Sequence, residues 1–346
     1  MNARQNICAL LFVLGAVFFS APTRGGQEPD LYKQAASAFQ KQNFEKAAVL
    51  FERSEAADPG KSDALLMAAK AHVHLQQFDT AENHLRKYLA ATPASADALY
   101  LLGFVLNREN KPKDSLDVYT RAAKLSAPTG DDLKIVALDY ELLNDNANAI
   151  HWLEVAVEKD PVNKEAWYFL GRAYYTASRL PAARRAFDRV LELDPRDARS
   201  ENNIGLILES GGKTDEALAT YRNAIAWQKE SSPSREQPYL NLGSLLITME
   251  RTREAVAPLQ KAVALAPNDA QCHLRLGTAY LHLGELNEAE RELREAVRLA
   301  PDDAAAHYQL GRCYKQSKKI EAAKSEFDRV AEIQSQAVEK LKTPQQ

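Results

Sequence analysis

Residues 164–197 read KEAWYFLGRAYYTASRLPAARRAFDRVLELDPRD. The first half places Leu170, Gly171 and Tyr174 at helical spacing, and the second half does the same with Ala183 and Phe187. Spacings of i, i+3, i+4 and i+7 make two amphipathic helices. Asp194-Pro195 closes the second, because a residue before proline avoids the α region. Outward from this stretch the proline positions repeat. Pro59 to Pro93, Pro161 to Pro195 and Pro267 to Pro301 are each 34 residues apart. A fixed period in this range decides a fold, since each period is one supersecondary unit.

Nine units then start at Glu28, Ser62, Ala96, Gly130, Lys164, Ala198, Glu236, Ala270 and Ala304, with four extra residues before Glu236. One column reads Gly103, Gly171, Gly205, Gly243, Gly277 and Gly311, with Ala35, Ala69 and Ala137 in the other units. A second reads Ala47, Ala81, Ala149, Ala183, Ala217, Ala255, Ala289 and Ala323, with Ser115 in the third unit. Four residues later come large side chains such as Phe51, Leu85, Phe187, Tyr221 and Leu293. The small residues of one helix are expected to face the Ala of the next, Gly171 against Ala183, with the large residues filling the space beside them.

These columns closely resemble the tetratricopeptide repeat, over about nine-tenths of the chain. The resemblance implies an all-α, right-handed α-solenoid of nine helix pairs stacked into one core. Units one to six then span 27–230, a Ser/Pro-bearing insertion 231–235, and units seven to nine 236–337. Residues 338–346 form the end of a capping helix and a tail, with Ile333, Val338 and Leu341 expected to cover the exposed end. The implied function is a scaffold that grips a protein or peptide segment in a groove lined by the first helices. By position, the groove candidates are Tyr168, Arg172, Asn202, Asn203, Asn241 and Arg275. Asn203 and Asn241 share one phase and resemble two rungs of an asparagine ladder, in which each amide pairs with any peptide group. The alternatives are ordinary structural asparagines, an assembly subunit of an envelope or secretion complex that uses the convex face, and a cell-wall glycan binder.

Composition agrees with a helical, non-catalytic reading. The 346 residues carry 44 Lys+Arg against 47 Asp+Glu, a formal net charge of −3, with 45% hydrophobic residues and three cysteines. No basic block offers a nucleic-acid surface, and no partner of that class is expected. The start is different. A weakly basic 2–6, an uncharged apolar 7–19 and a small, polar 20–26 follow the order of a secretory signal peptide. The apolar run is shorter than the ~20 residues that span a bilayer as a helix. Export to a periplasmic or extracellular space is expected, with cleavage near residue 26. Membrane attachment follows only if this segment is retained as an anchor.

Other candidate chemistry is discounted. Gly211-Gly212-Lys213-Thr214 lacks the upstream Gly of a phosphate loop, having Ile207 there, and reads as a helix–helix turn. His72 and His74 point to different helix faces, and His273 and His307 share the phase of Trp167, a packing position. No metal or cofactor site is expected from these spacings. Cys272 and Cys313 stand seven residues apart in phase on neighbouring units, too far for a disulfide. No nucleophile with a partnered base appears, and no enzyme activity is expected.

Overall fold

The computed structural model describes residues 30–58, 63–230 and 234–342. Among them are eighteen helices and no strand. They fall into two compact units, split between Pro93 and Ala94.

The first unit holds two helix pairs, α1 (Leu31–Gln40) with α2 (Phe44–Ala57) and α3 (Asp63–His74) with α4 (Phe78–Ala91). Its core sets Ala35 and Ala38 of α1 beside Ala47 and Phe51 of α2 and Ala68 and Ala71 of α3. The second unit holds seven pairs. They begin with α5 (Ala96–Arg108) and α6 (Pro112–Ala123), then α7 (Gly130–Leu142) and α8 (Asn146–Lys159). Next come α9 (Lys164–Thr176), α10 (Leu180–Leu193), α11 (Ala198–Ser210) and α12 (Thr214–Glu230). The last are α13 (Gln237–Thr248), α14 (Thr252–Leu265), α15 (Ala270–Leu283), α16 (Leu286–Leu299), α17 (Ala304–Gln316) and α18 (Ile320–Lys342). The chain is an α-solenoid of helix pairs.

Side-chain caps start the first helices. Asp30, Ser95, Asn163 and Asp197 each accept from a backbone N–H three residues on, and Thr129 and Asp132 cap each other reciprocally. Between the helices of every pair stands one residue with φ near +60°. These residues are Gln42, Gln76, Asn110, Asn144, Ser178, Gly212, Glu250, Gly284 and Lys318. They recur every 34 residues except for 38 between Gly212 and Glu250, which locates the four-residue insertion. Gly212 of the Gly-Gly-Lys-Thr stretch is one such turn residue, at φ 72°.

The small-residue column packs differently from expectation. A Cβ built on Gly171 would stand 2.7 Å from Phe187 Cε1, and the three atoms nearest to it all belong to that ring. Gly103 likewise meets Tyr119, Gly205 meets Tyr221, Gly243 meets Leu259 and Gly277 meets Leu293, all within 3.0 Å. The reason is direction. A helical side chain leans back over the turn N-terminal to its own Cα, so the Phe187 ring lies over the turn of Ala183. The capping residues also differ. α18 runs to Lys342 as the tail predicts, but Val338 is 50% exposed and Ile333 only half-buried. The side chain of Leu341, the third expected capping residue, lies outside the described residues.

Candidate functional site

Within the second unit each first helix touches the next first helix, in steps from α5 through α17. The first helices therefore form one continuous layer, and the candidate groove residues lie on it. Arg172 is exposed and sits over the Phe169 ring at 5.8 Å. Arg275 is exposed on α15. The structure brings Tyr168, Asn202 and Asn203 together in a concavity of about 540 Å³ between α9, α11 and the start of α13. Arg172, Asn241 and Arg275 are not part of its lining.

The sequence reading missed the residue at the centre of this concavity. Arg199 bonds both carboxylate oxygens of Glu165, at 2.6 and 3.3 Å, and Asp197 at 3.2 Å. Its guanidinium also stacks 4.3 Å from the Tyr168 ring centroid. Burial would lower its pKa, but Glu165 and Asp197 outweigh that and raise it. Tyr168 thus forms one side of a rigid wall, with Arg199 as the fastener between α9 and α11. Arg199 and Glu165 are one period apart, the signal that could have revealed the pair. Beneath them the buried Gln228 clamps the chain entering α13, donating to the Arg235 carbonyl (2.9 Å) and accepting from its N–H (3.0 Å). Charge in the lining balances, with Glu165, Asp194 and Asp197 against Arg196, Arg199 and Arg235.

The asparagines do unequal work. Asn203 donates to the Arg199 carbonyl one turn back in its own helix, at 2.7 Å. Asn241 donates 2.9 Å to Asn202, which is buried. Asn203 and Asn241 are therefore held by different partners despite their common phase. Asn203 lines the concavity and is half-buried.

A second cluster lies in the first unit. Glu52, His72 and His84 bring their ligand-capable atoms within 4.8 Å of one another. Twelve residues on adjacent antiparallel helices separate the two histidines, so no single-helix spacing marks them. His74 is exposed and stacks on Phe44 at 4.1 Å. His273 and His307 are packing residues. Each faces the carbonyl six residues back, of Pro267 or Pro301 (3.0 Å), and a glutamate nineteen residues on, Glu292 or Glu326. Trp167 donates to Pro161 in the same slot, also at 3.0 Å. Cys272 and Cys313 are buried free thiols.

Comparison with known proteins agrees with this architecture. Sequence profiles of the tetratricopeptide repeat match residues 38–103, 137–198, 196–268, 246–302 and 287–343. The rice (Oryza sativa) DnaJ protein P58IPK homolog B is 22% identical over 279 residues, covering 73% of this chain and 59% of that protein. The crystal structure of the APC/C hetero-tetramer Cut9–Hcn1 superposes with a TM-score of 0.61 at 17% identity, over 82% of this chain and 55% of that one. A tetratricopeptide repeat protein from Parabacteroides merdae superposes with a TM-score of 0.58 at 20% identity, over 73% of this chain and 98% of that one. The chain thus spans little more than half of the rice relative. No helix among the described residues is long and apolar enough to cross a membrane. With repeat profiles matching both units, and a turn residue recurring at one phase in all nine pairs, the chain belongs to the tetratricopeptide repeat family.

Proposed function

We propose that this protein is an exported scaffold that holds an extended protein segment on the first-helix face of its second unit, at the concavity between α9 and α13. The observation that carries this reading is the lining. Its charges balance, with Arg199 paired to Glu165 and Asp197 and Asp194 to Lys164, while Asn203 and the Tyr168 face offer hydrogen bonding and an aromatic platform. Such a surface suits uncharged main chain better than an anion or a cation, because an amide pairs with any peptide group. Repeat solenoids commonly bind along such extended layers.

The test selects binders from a random peptide library on the intact chain. Tyr168→Ala with Asn203→Ala should then weaken the selected peptides at least tenfold, with helicity unchanged by circular dichroism. Equal affinity in a folded double variant rejects this face and favours the outer helices, as in an assembly subunit. Selection of cell-wall glycan fragments instead of peptides favours the glycan reading.

Export rests on residues 1–26, which lie outside the described residues. N-terminal sequencing of material recovered outside the cytoplasm should begin between Pro22 and Asp30. An intact Met1 on membrane-bound material favours the anchor.

A further inference from the structure

The Glu52–His72–His84 cluster spans three helices. Glu52 projects from α2, His72 from α3 and His84 from α4. His72 Nε2 lies 2.9 Å and His84 Nε2 3.2 Å from the same oxygen, Glu52 Oε1. The imidazole rings lie nearly parallel, 5.3 Å apart between centroids. Neighbouring ligand atoms of a tetrahedral zinc, with bonds of about 2.0–2.2 Å, stand about 3.3 Å apart. Both histidine nitrogens already hold close to that spacing from the carboxylate oxygen, and all three ligand atoms lie within 4.8 Å of one another.

We propose that Glu52, His72 and His84 form a binding site for a borderline divalent transition-metal ion, zinc above all. Two imidazoles and one carboxylate are a ligand set that zinc accepts, with its fourth position left to water. The surroundings support this in three ways. Gln77 Oε1 sits 2.7 Å from His72 Nδ1, so a proton on Nδ1 turns the Nε2 lone pair inward, as an outer partner of a metal-bound histidine does. The side chains of His72 and His84 are 10% and 14% exposed, whereas that of Glu52 is 40% exposed, which leaves a route for ion and water. His84 Nδ1 is buried without a hydrogen-bond partner, so the hydrogen bonding of this ring rests on its Nε2. A bound ion would tie the second helix of the first pair to both helices of the second, clipping the two pairs together.

The test titrates Zn²⁺ into the untagged, chelator-treated full-length chain by calorimetry and by competition with a chromophoric chelator. One ion per chain is expected, with a raised unfolding temperature. His84→Gln should lose at least a hundredfold in affinity, and His151→Gln, far from the cluster in sequence and exposed, should lose nothing. Gln77→Ala should lose about 10- to 100-fold, the usual cost of removing an outer-shell partner. If His84→Gln fails to fold, Glu52→Gln on the more exposed side of the cluster takes its place. Co²⁺ in place of Zn²⁺ should give the visible absorption of a tetrahedral site. Absence of stoichiometric Zn²⁺ binding, or equal affinity in a folded ligand variant, overturns the proposal and leaves a proton-shared Glu–His–His network.

Discussion

A glycine at the closest helix contact is legible as such in the sequence, but its partner is not. The 34-residue period marks Gly171 as a core position, and the structure shows why a side chain is excluded there. The Phe187 ring, itself fully buried, occupies the place of a Cβ. Gly171→Ala would gain about 1 kcal/mol of helix propensity but must displace that ring, at about 1–3 kcal/mol for overpacking. A small net loss is expected by denaturant unfolding. Gly171→Leu should lose about 3 kcal/mol or more, and an unchanged midpoint for it would sink the assignment. Periodicity could not choose between Ala183 and Phe187, because the choice depends on side-chain direction. Ser115 shows the same limit. In sequence it is a departure from alanine, but in the structure its hydroxyl stands 2.6 Å from Asp139 Oδ2, and Asn107 donates to Oδ1 at 2.8 Å. Burial pushes the Asp139 carboxyl up to about 6, against the effect of those hydrogen bonds. The folded state therefore holds a proton that the unfolded state has lost, and stability from this group falls as pH rises from about 4 to 6. Asp139→Asn removes that penalty. It should stabilise the protein by about 1–2 kcal/mol at pH 7.5, a fraction of the shift converted at about 1.4 kcal/mol per unit, and by nothing near pH 4. A gain that is independent of pH would reject the burial cause.

The elements themselves were almost wholly legible, because helix starts, stops and the insertion all follow from local chemistry. Asp160 and Asp194 end α8 and α10 before their prolines, as the Asp-Pro pairs predict. The turn inside each pair was less legible. Nine residues adopt the left-handed conformation at one phase, yet only Gly212 and Gly284 are glycines. Asn110 and Asn144 tolerate this region, but Glu250 and Lys318 do not favour it. The position is imposed by the pairing of the two helices, so the sequence carries no consistent residue there. A non-glycine residue pays about 1–2 kcal/mol for left-handed backbone, against about 0.5–1 kcal/mol of extra chain entropy lost by glycine. Glu250→Gly should therefore raise stability by several tenths to about 1 kcal/mol, measured by the thermal midpoint. Gly212→Val should cost more than it gains, since a β-branched residue suits this conformation least. A lower midpoint for Glu250→Gly would mean that its side chain contributes something beyond the backbone.

At the scale of the whole molecule, the repeat reading says that helix pairs contact their neighbours and little else. Contacts within the second unit fit this, since they join helices one or two positions apart along the chain. The candidate concavity was only partly legible because it is built by partner choice. Tyr168, Asn202 and Asn203 could be placed by phase, but the Arg199–Glu165 fastener and the Asn202–Asn241 bond depend on how neighbouring helices are set. The same neighbour-only coupling makes a spatial prediction. In a quasi-one-dimensional array, stability is a sum of unit and interface terms, so damage should decay along the chain. Amide hydrogen exchange on Gly171→Leu should show the greatest loss of protection in α9 and α10. A smaller loss is expected in α7, α8, α11 and α12, whose side chains share cores with that pair. Protection in α15 and α16, two pairs beyond α11 and α12, should match the unmutated chain. They belong to the same continuous core, but their helix contacts are with α13, α14 and α17 rather than with α9 and α10. If α15 and α16 lose protection as fully as α9, the second unit unfolds as one cooperative block, and the neighbour-only account of its stability fails.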